Sequence, residues 1–200
     1  MIDIKRSMNS DIFFRLANVL ILGGFTCIRA PYIWQSIKQA ANPEDRKRSI
    51  IYTAISIVMV LVGFYYLYSP GAFYTFAVPF PDVIKYAGVM IGLAGNVLLL
   101  WTHKALDKNF AMYVTSTKNH KLVTSGPYAI VRHPMYTAFI MIAAGFFLVS
   151  SNLFFGAFVA VMIYPLIYRM NIEESYLSET FGETYRKYMA ETKRLLPYIY

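Results

Sequence analysis

From Pro134 to Tyr168 the chain runs 35 residues without a charged side chain. As one helix that stretch would measure about 52 Å, far more than a hydrocarbon core of about 30 Å. Two short helices turning near Ser150-Ser151-Asn152 are therefore expected, each slightly short for a full crossing. Such a hairpin returns Arg169 to the membrane face that holds His133, so the polar stretches on either side of it can meet. A second uncharged run, Ser49 to Pro81, makes the same demand for a membrane.

Composition agrees. Only 15% of residues are charged and 57% are hydrophobic, where a water-soluble domain carries about a quarter charged residues. With 17 Tyr, 15 Phe and a single cysteine, disorder, collagen and a disulfide scaffold are excluded. Cys27 can build neither a disulfide nor a thiolate site within this chain, and the three histidines have no metal-ligand spacing, so no metal is expected. The net charge of +8 reads as a topology signal, so no nucleic-acid partner is expected. Arg15 breaks the first apolar run, and no cleavable signal peptide is expected. The 200 residues read as one domain, 1–200.

The expected fold is an all-α integral membrane protein with about five transmembrane helices. The first span, 12–34, is bracketed by Arg15 and Arg29, which read as anchors snorkelling to the headgroup layers. A basic loop from Lys38 to Arg48 leads to a second span at 50–69, and Pro70-Gly71 with Pro79 and Pro81 mark an interfacial turn. Tyr86 to Thr102 forms the third span, which places His103 at its end as an interfacial residue. The hairpin supplies the last two. Fourteen basic residues lie in the 34–49 loop, between the third and fourth spans, and after the fifth; the 70–81 and 150–152 turns have none. The N-terminus is thus expected outside, and the two long polar segments and the C-terminus in the cytoplasm. Apolar residues at three- and four-residue steps from Asn171 to Glu191 predict an amphipathic cytoplasmic helix, weakened or bent at Gly182.

Two polar clusters on the cytoplasmic side carry the candidate chemistry. One is His120-Lys121-Leu122-Val123-Thr124-Ser125-Gly126-Pro127-Tyr128 with Val131-Arg132-His133-Pro134-Met135-Tyr136. Proline in the first turn of the fourth helix leaves free N–H groups and a positive dipole end, where an anionic group could bind. The other is Arg169 with Glu173 and Glu174; Arg169 and Glu173, four apart, share a helix face.

HKLVTSGPYAIVRHPMY, an apolar hairpin and then EESYLSETFGETYRKYMAETKRLLPYI, across roughly residues 103–200, strongly resemble the isoprenylcysteine carboxyl methyltransferase family. The resemblance to membrane phospholipid methyltransferases is looser. It implies S-adenosylmethionine held in a cytoplasmic pocket between loop, hairpin and C-terminal helix. By the same resemblance His120, Lys121, Leu122, Val123, Tyr128, His133, Pro134, Met135, Tyr136 and Glu173 match cofactor-binding positions, and Arg169 an arginine on the substrate side. Arg132 and Arg194 lie in the motifs without an assigned contact. Ala138 stands where the family usually has glycine.

The implied activity is methylation of a lipophilic acceptor that reaches the pocket from the bilayer among the membrane lipids, with a prenylated cysteine carboxylate as the model. A phospholipid amine or a small thiol remains an alternative acceptor, and either would need a base such as Glu174. Sterol reductases share a similar RHPxY and C-terminal pattern with a nicotinamide cofactor, but are longer. A non-enzymatic membrane protein is the third reading.

Overall fold

The computed structural model describes residues 2–39, 43–106 and 122–197. The described residues form α1 (Ile2–Gln39), α2 (Pro43–Tyr68), α3 (Asp82–Leu106), α4 (Pro134–Ser150), α5 (Leu153–Phe181) and α6 (Glu183–Glu191). Short 3₁₀ helices at Pro70–Phe76 and Gly126–Ala129 join them. Among these residues β structure is confined to two isolated bridges, Ala77 with Asn152 and Val131 with Lys193.

Among the described residues three helices are long and apolar enough to cross a membrane: Ser10–Gln35 within α1, α3 and α5. Ile57–Tyr68 with Pro70–Phe76, bent by 99°, makes a fourth if the pair counts as one span. Helix α4 is apolar but has 17 residues. The chain is a multi-pass, all-helical membrane protein.

The hairpin turns where the apolar run requires it. Ser151 takes a left-handed conformation with φ +50° after α4. Asn152 caps α5, its side-chain oxygen accepting the Phe154 N–H at 3.1 Å while its amide donates to the Phe73 carbonyl at 3.0 Å. The arms are unequal, however. α5 has 29 residues, about 43 Å, so it outruns the hydrocarbon core and carries Arg169, Glu173 and Glu174 on the same rigid rod. The expected tail helix of 171–191 is accordingly divided. Its first half belongs to α5, and Gly182, at φ +54°, separates that half from α6. Glycine accepts this backbone conformation without strain. The expected loop at Lys38 to Arg48 is also shorter than read, because α1 runs through Gln39 and α2 begins at Pro43.

Small residues let α3 and α4 approach closely. A Cβ on Gly145 would lie 2.5 Å from the Gly92 Cα and N, so no side chain fits there. Ala138 is fully buried in the same core, so its methyl is accommodated. Gly145→Ala should cost about 2–3 kcal/mol by overpacking. Gly23→Ala, where nothing lies within 4 Å of the added carbon, should be neutral or stabilising by up to about 1 kcal/mol. Denaturation of the two detergent-purified variants in parallel checks this pair.

Candidate functional site

The hairpin brings α5's polar end beside the start of α4, and the segment after α6 closes over both. The Arg132 and His133 N–H groups donate to the Lys193 and Arg194 carbonyls at 2.7 and 3.0 Å. The Thr137 hydroxyl donates to the Leu195 carbonyl at 2.9 Å. His133 is the N-cap of α4. Its own carbonyl accepts the Tyr136 and Thr137 N–H groups, both at 3.1 Å. The open amide cradle expected at this helix start is therefore largely satisfied by the protein's own backbone.

Two adjacent glutamates take different parts. Glu174 is buried among cations. Its Oε1 accepts from Arg132 Nε at 3.0 Å and lies 3.1 Å from His133 Nε2. Its Oε2 accepts from Arg194 Nη2 at 2.6 Å and Nε at 3.0 Å. Arg132 also donates to the Met189 and Thr192 carbonyls, so this knot ties α4, α5 and the C-terminal segment together. Glu174, weighed from sequence as a base for an amine or thiol, is instead fully engaged by these partners.

Glu173 is more accessible. The Tyr136 hydroxyl donates to its Oε1 at 2.6 Å and Arg169 Nε donates to the same oxygen at 3.0 Å. Its Oε2 stands 3.8 Å from His133 Nδ1. His133 thus sits between the two carboxylates. Tyr128 is held through its backbone, whose carbonyl accepts the Tyr188 hydroxyl at 2.6 Å. Burial, and then the charge of Glu173, pushes the Tyr128 phenol well above its ordinary value. Burial also pushes the Tyr188 phenol up to about 12, so both stay protonated near neutrality. Tyr185, buried beside the knot, is raised by the same desolvation and then by Glu174.

Of the residues singled out in the sequence, the structure brings Tyr128, His133, Pro134, Met135, Tyr136, Arg169 and Glu173 to one end of the bundle. Leu122 and Val123 lie in the half-buried coil that leads into the Gly126–Ala129 turn. His120 and Lys121 lie outside the described residues.

Arg29 and His103 depart from the positions the sequence predicts. Arg29 is 9% exposed and His103 fully buried, so neither is an interfacial anchor. Arg29 Nη1 lies 3.5 Å from both His103 Nε2 and Met135 Sδ, and its guanidinium carbon sits 5.2 Å from the Phe139 ring centroid. Tyr32 stacks on His103 at 3.8 Å. The signal available was Arg29's position well inside an apolar run, since an ionisable group within a span is a site candidate by default.

An apolar cavity of about 210 Å³, walled by α1, α2, α4 and α5, extends along the bundle from Phe155 near the hairpin turn to Phe139 and Leu166, each one helical turn from the polar end. Phe139 lies one helical turn from Tyr136.

Residues 83–184 match the family described as phospholipid methyltransferase. Over 100 residues the chain is 34% identical to the protein-S-isoprenylcysteine O-methyltransferase of Schizosaccharomyces pombe, covering 46% of this chain and 40% of the relative. Over 133 residues it is 29% identical to a probable protein-S-isoprenylcysteine O-methyltransferase of Oryza sativa subsp. indica, covering 62% and 70%. The chain thus spans less than half of the first relative's length and over two thirds of the second's. A solved eukaryotic intramembrane Ras methyltransferase, isoprenylcysteine carboxyl methyltransferase, has a similar fold, with a TM-score of 0.57, 20% identity, and coverage of 94% of this chain and 71% of that one.

Proposed function

The chain belongs to the phospholipid methyltransferase family, and from that premise we propose that it transfers a methyl group from S-adenosylmethionine to a lipophilic carboxylate at the cytoplasmic face. The relatives named as isoprenylcysteine methyltransferases support this substrate chemistry. The single observation that carries the reading is the convergence of Tyr136, His133 and Arg169 on the Glu173 carboxylate beside an apolar cavity.

The residues present fit the cofactor. Glu173 Oε2 is the less engaged oxygen of a part-exposed carboxylate, suited to accept hydrogen bonds from ribose hydroxyls. Tyr128 and Tyr136 offer aromatic faces that favour a sulfonium cation. When bound, S-adenosylmethionine supplies an electrophilic methyl on that sulfonium. Arg169 orients the acceptor carboxylate by charge-assisted hydrogen bonding, and the apolar cavity holds its lipid tail. A carboxylate is already ionised at neutral pH, so no side chain need remove a proton; the protein's task is alignment and exclusion of water. That suits a site where Glu174 is committed elsewhere.

Five crossings, with α4 as a short one, follow from the apolar runs, and an outside N-terminus from the basic-residue count. α6 then lies at the cytoplasmic surface with Tyr185 and Tyr188 turned inward.

Calorimetric titration of the detergent-purified protein with S-adenosylhomocysteine is expected to show saturable binding, weakened about tenfold or more in Glu173→Gln. NADPH is expected not to bind. Binding of NADPH in place of S-adenosylhomocysteine would overturn the reading.

A further inference from the structure

Phe155, Val159, Met162 and Leu166 recur at four-, three- and four-residue steps along α5, and all four line the apolar cavity. The same stripe continues to Arg169 and Glu173, three and seven residues beyond Leu166. α5 is one helix from Leu153 to Phe181, through Pro165. A single rod therefore carries both the cavity wall and the polar site, and it fixes the distance between them. From Leu166 down to Phe155 that distance is about 16 Å.

Every residue lining the cavity is apolar, from Leu22 and Phe25 on α1 to Gly63 on α2. Such walls suit a hydrocarbon and offer nothing to a group that needs a hydrogen bond. At the hairpin end the cavity closes on aromatic rings. The Phe146 and Phe155 rings cross at 85° with their centroids 4.8 Å apart, and both residues are buried. Tyr66 stands edge-on to Phe155 at 5.1 Å, and Phe73 lies 5.8 Å from the same ring. This floor is pinned from behind. The Tyr66 hydroxyl donates to the Ser150 carbonyl at 2.8 Å, and the Phe73 carbonyl accepts from the Asn152 amide at 3.0 Å. Both anchors belong to the turn between α4 and α5, so the floor moves only if that turn is unmade.

We propose that the floor at Phe155 selects the acceptor by the length of its tail. The proposal rests on the reading that Arg169 holds the acceptor's carboxylate. With the head fixed there, the tail runs down the α5 stripe until it meets the Phe155 ring. An extended chain advances about 1.2 Å per bond, so a tail of about 13 carbons fills the cavity. Lipid surrounds the protein, so a tail gains here by packing and not by leaving water. A shorter tail leaves walls without contacts. A longer one has to fold back or leave between the helices, which pulls the carboxylate out of line.

The test offers N-acetyl-S-alkylcysteines, with straight tails from octyl to eicosyl, to the full detergent-purified chain. Methyl transfer is read as kcat/KM, and binding is read by calorimetry in the same detergent. An optimum near tridecyl is expected, with octyl and eicosyl about tenfold or more below it. Phe155→Ala should move the optimum to tails longer by about four carbons, the length of one helical turn. Val159→Phe, one turn nearer the polar end, should move it about as far toward shorter tails. Ratios of variant to wild type at each tail length cancel partition into the micelle. Val159→Phe fills a cavity where Phe155→Ala empties the core, so it carries the test if the alanine variant does not fold. Unchanged S-adenosylhomocysteine binding checks the fold of each. Binding and turnover that stay level through eicosyl, or an optimum that neither variant shifts, would overturn the proposal. So would failure of the whole series to bind. A binding optimum without methyl transfer to any tail would instead overturn the carboxylate reading and leave the length selection standing.

Discussion

Glu174→Gln is expected to destabilise the protein by about 3–5 kcal/mol, the cost of leaving buried charge without its partner. Its side chain is 8% exposed, against 11% for Arg132 and 26% for Arg194. Glutamine keeps the volume and one acceptor oxygen but removes the charge that offsets two guanidiniums. The thermal transition should fall by roughly 10 °C. Glu173→Gln should behave otherwise, because Glu173 is 20% exposed at its side chain and its cationic contact, Arg169, is 28% exposed. Solvent screens that pair, and exposed pairs contribute about 1 kcal/mol or less. The contrast between neighbouring residues is the measurement: a large stability loss at 174, and a binding loss with little stability loss at 173. A Glu174→Gln protein that unfolds with the wild type would mean the knot is ornamental to the fold. An Arg194→Gln, Glu174→Gln double variant should lose less than the sum of the singles, since the two share one interaction.

That division between the two glutamates was only half legible in the sequence. The uncharged run of 134–168 required a turn, and the turn required Arg169 and His133 to share an end, so the grouping of Tyr136, His133, Arg169 and Glu173 could be reasoned out. Adjacent glutamates on a helix, however, point about 100° apart, and which of them meets Arg132 depends on how the C-terminal segment packs. The bridge between Val131 and Lys193 leaves no periodic trace in composition or hydropathy. Arg29 shows the opposite failure. Snorkelling explains an arginine near a span's end, but only contacts from α3 and α4, distant in sequence, reveal that this one turns inward to His103 and Met135. The length of α5 is not legible in the sequence because charge marks the edge of the bilayer and not the end of the helix, which leaves the bilayer without stopping.

Arg169→Lys should lower kcat on a lipophilic carboxylate acceptor by on the order of 10²-fold, the usual consequence of a misplaced reacting group. Lysine keeps the charge but not the planar fork that matches a carboxylate, nor the Nε–H that reaches Glu173 at 3.0 Å. Because of that bond, the substitution cannot be read as touching the acceptor alone. Glu173 keeps its 2.6 Å hydrogen bond from Tyr136, so S-adenosylhomocysteine affinity should change less than about threefold, within the worth of one ordinary hydrogen bond. Calorimetry and steady-state kinetics on one preparation separate the two roles. A large fall in kcat with nearly constant cofactor affinity assigns Arg169 to the acceptor. A tenfold loss of cofactor affinity with unchanged kcat at saturation would make it a positioning residue for Glu173, and the carboxylate would then have to be oriented by another group at the same end of the bundle.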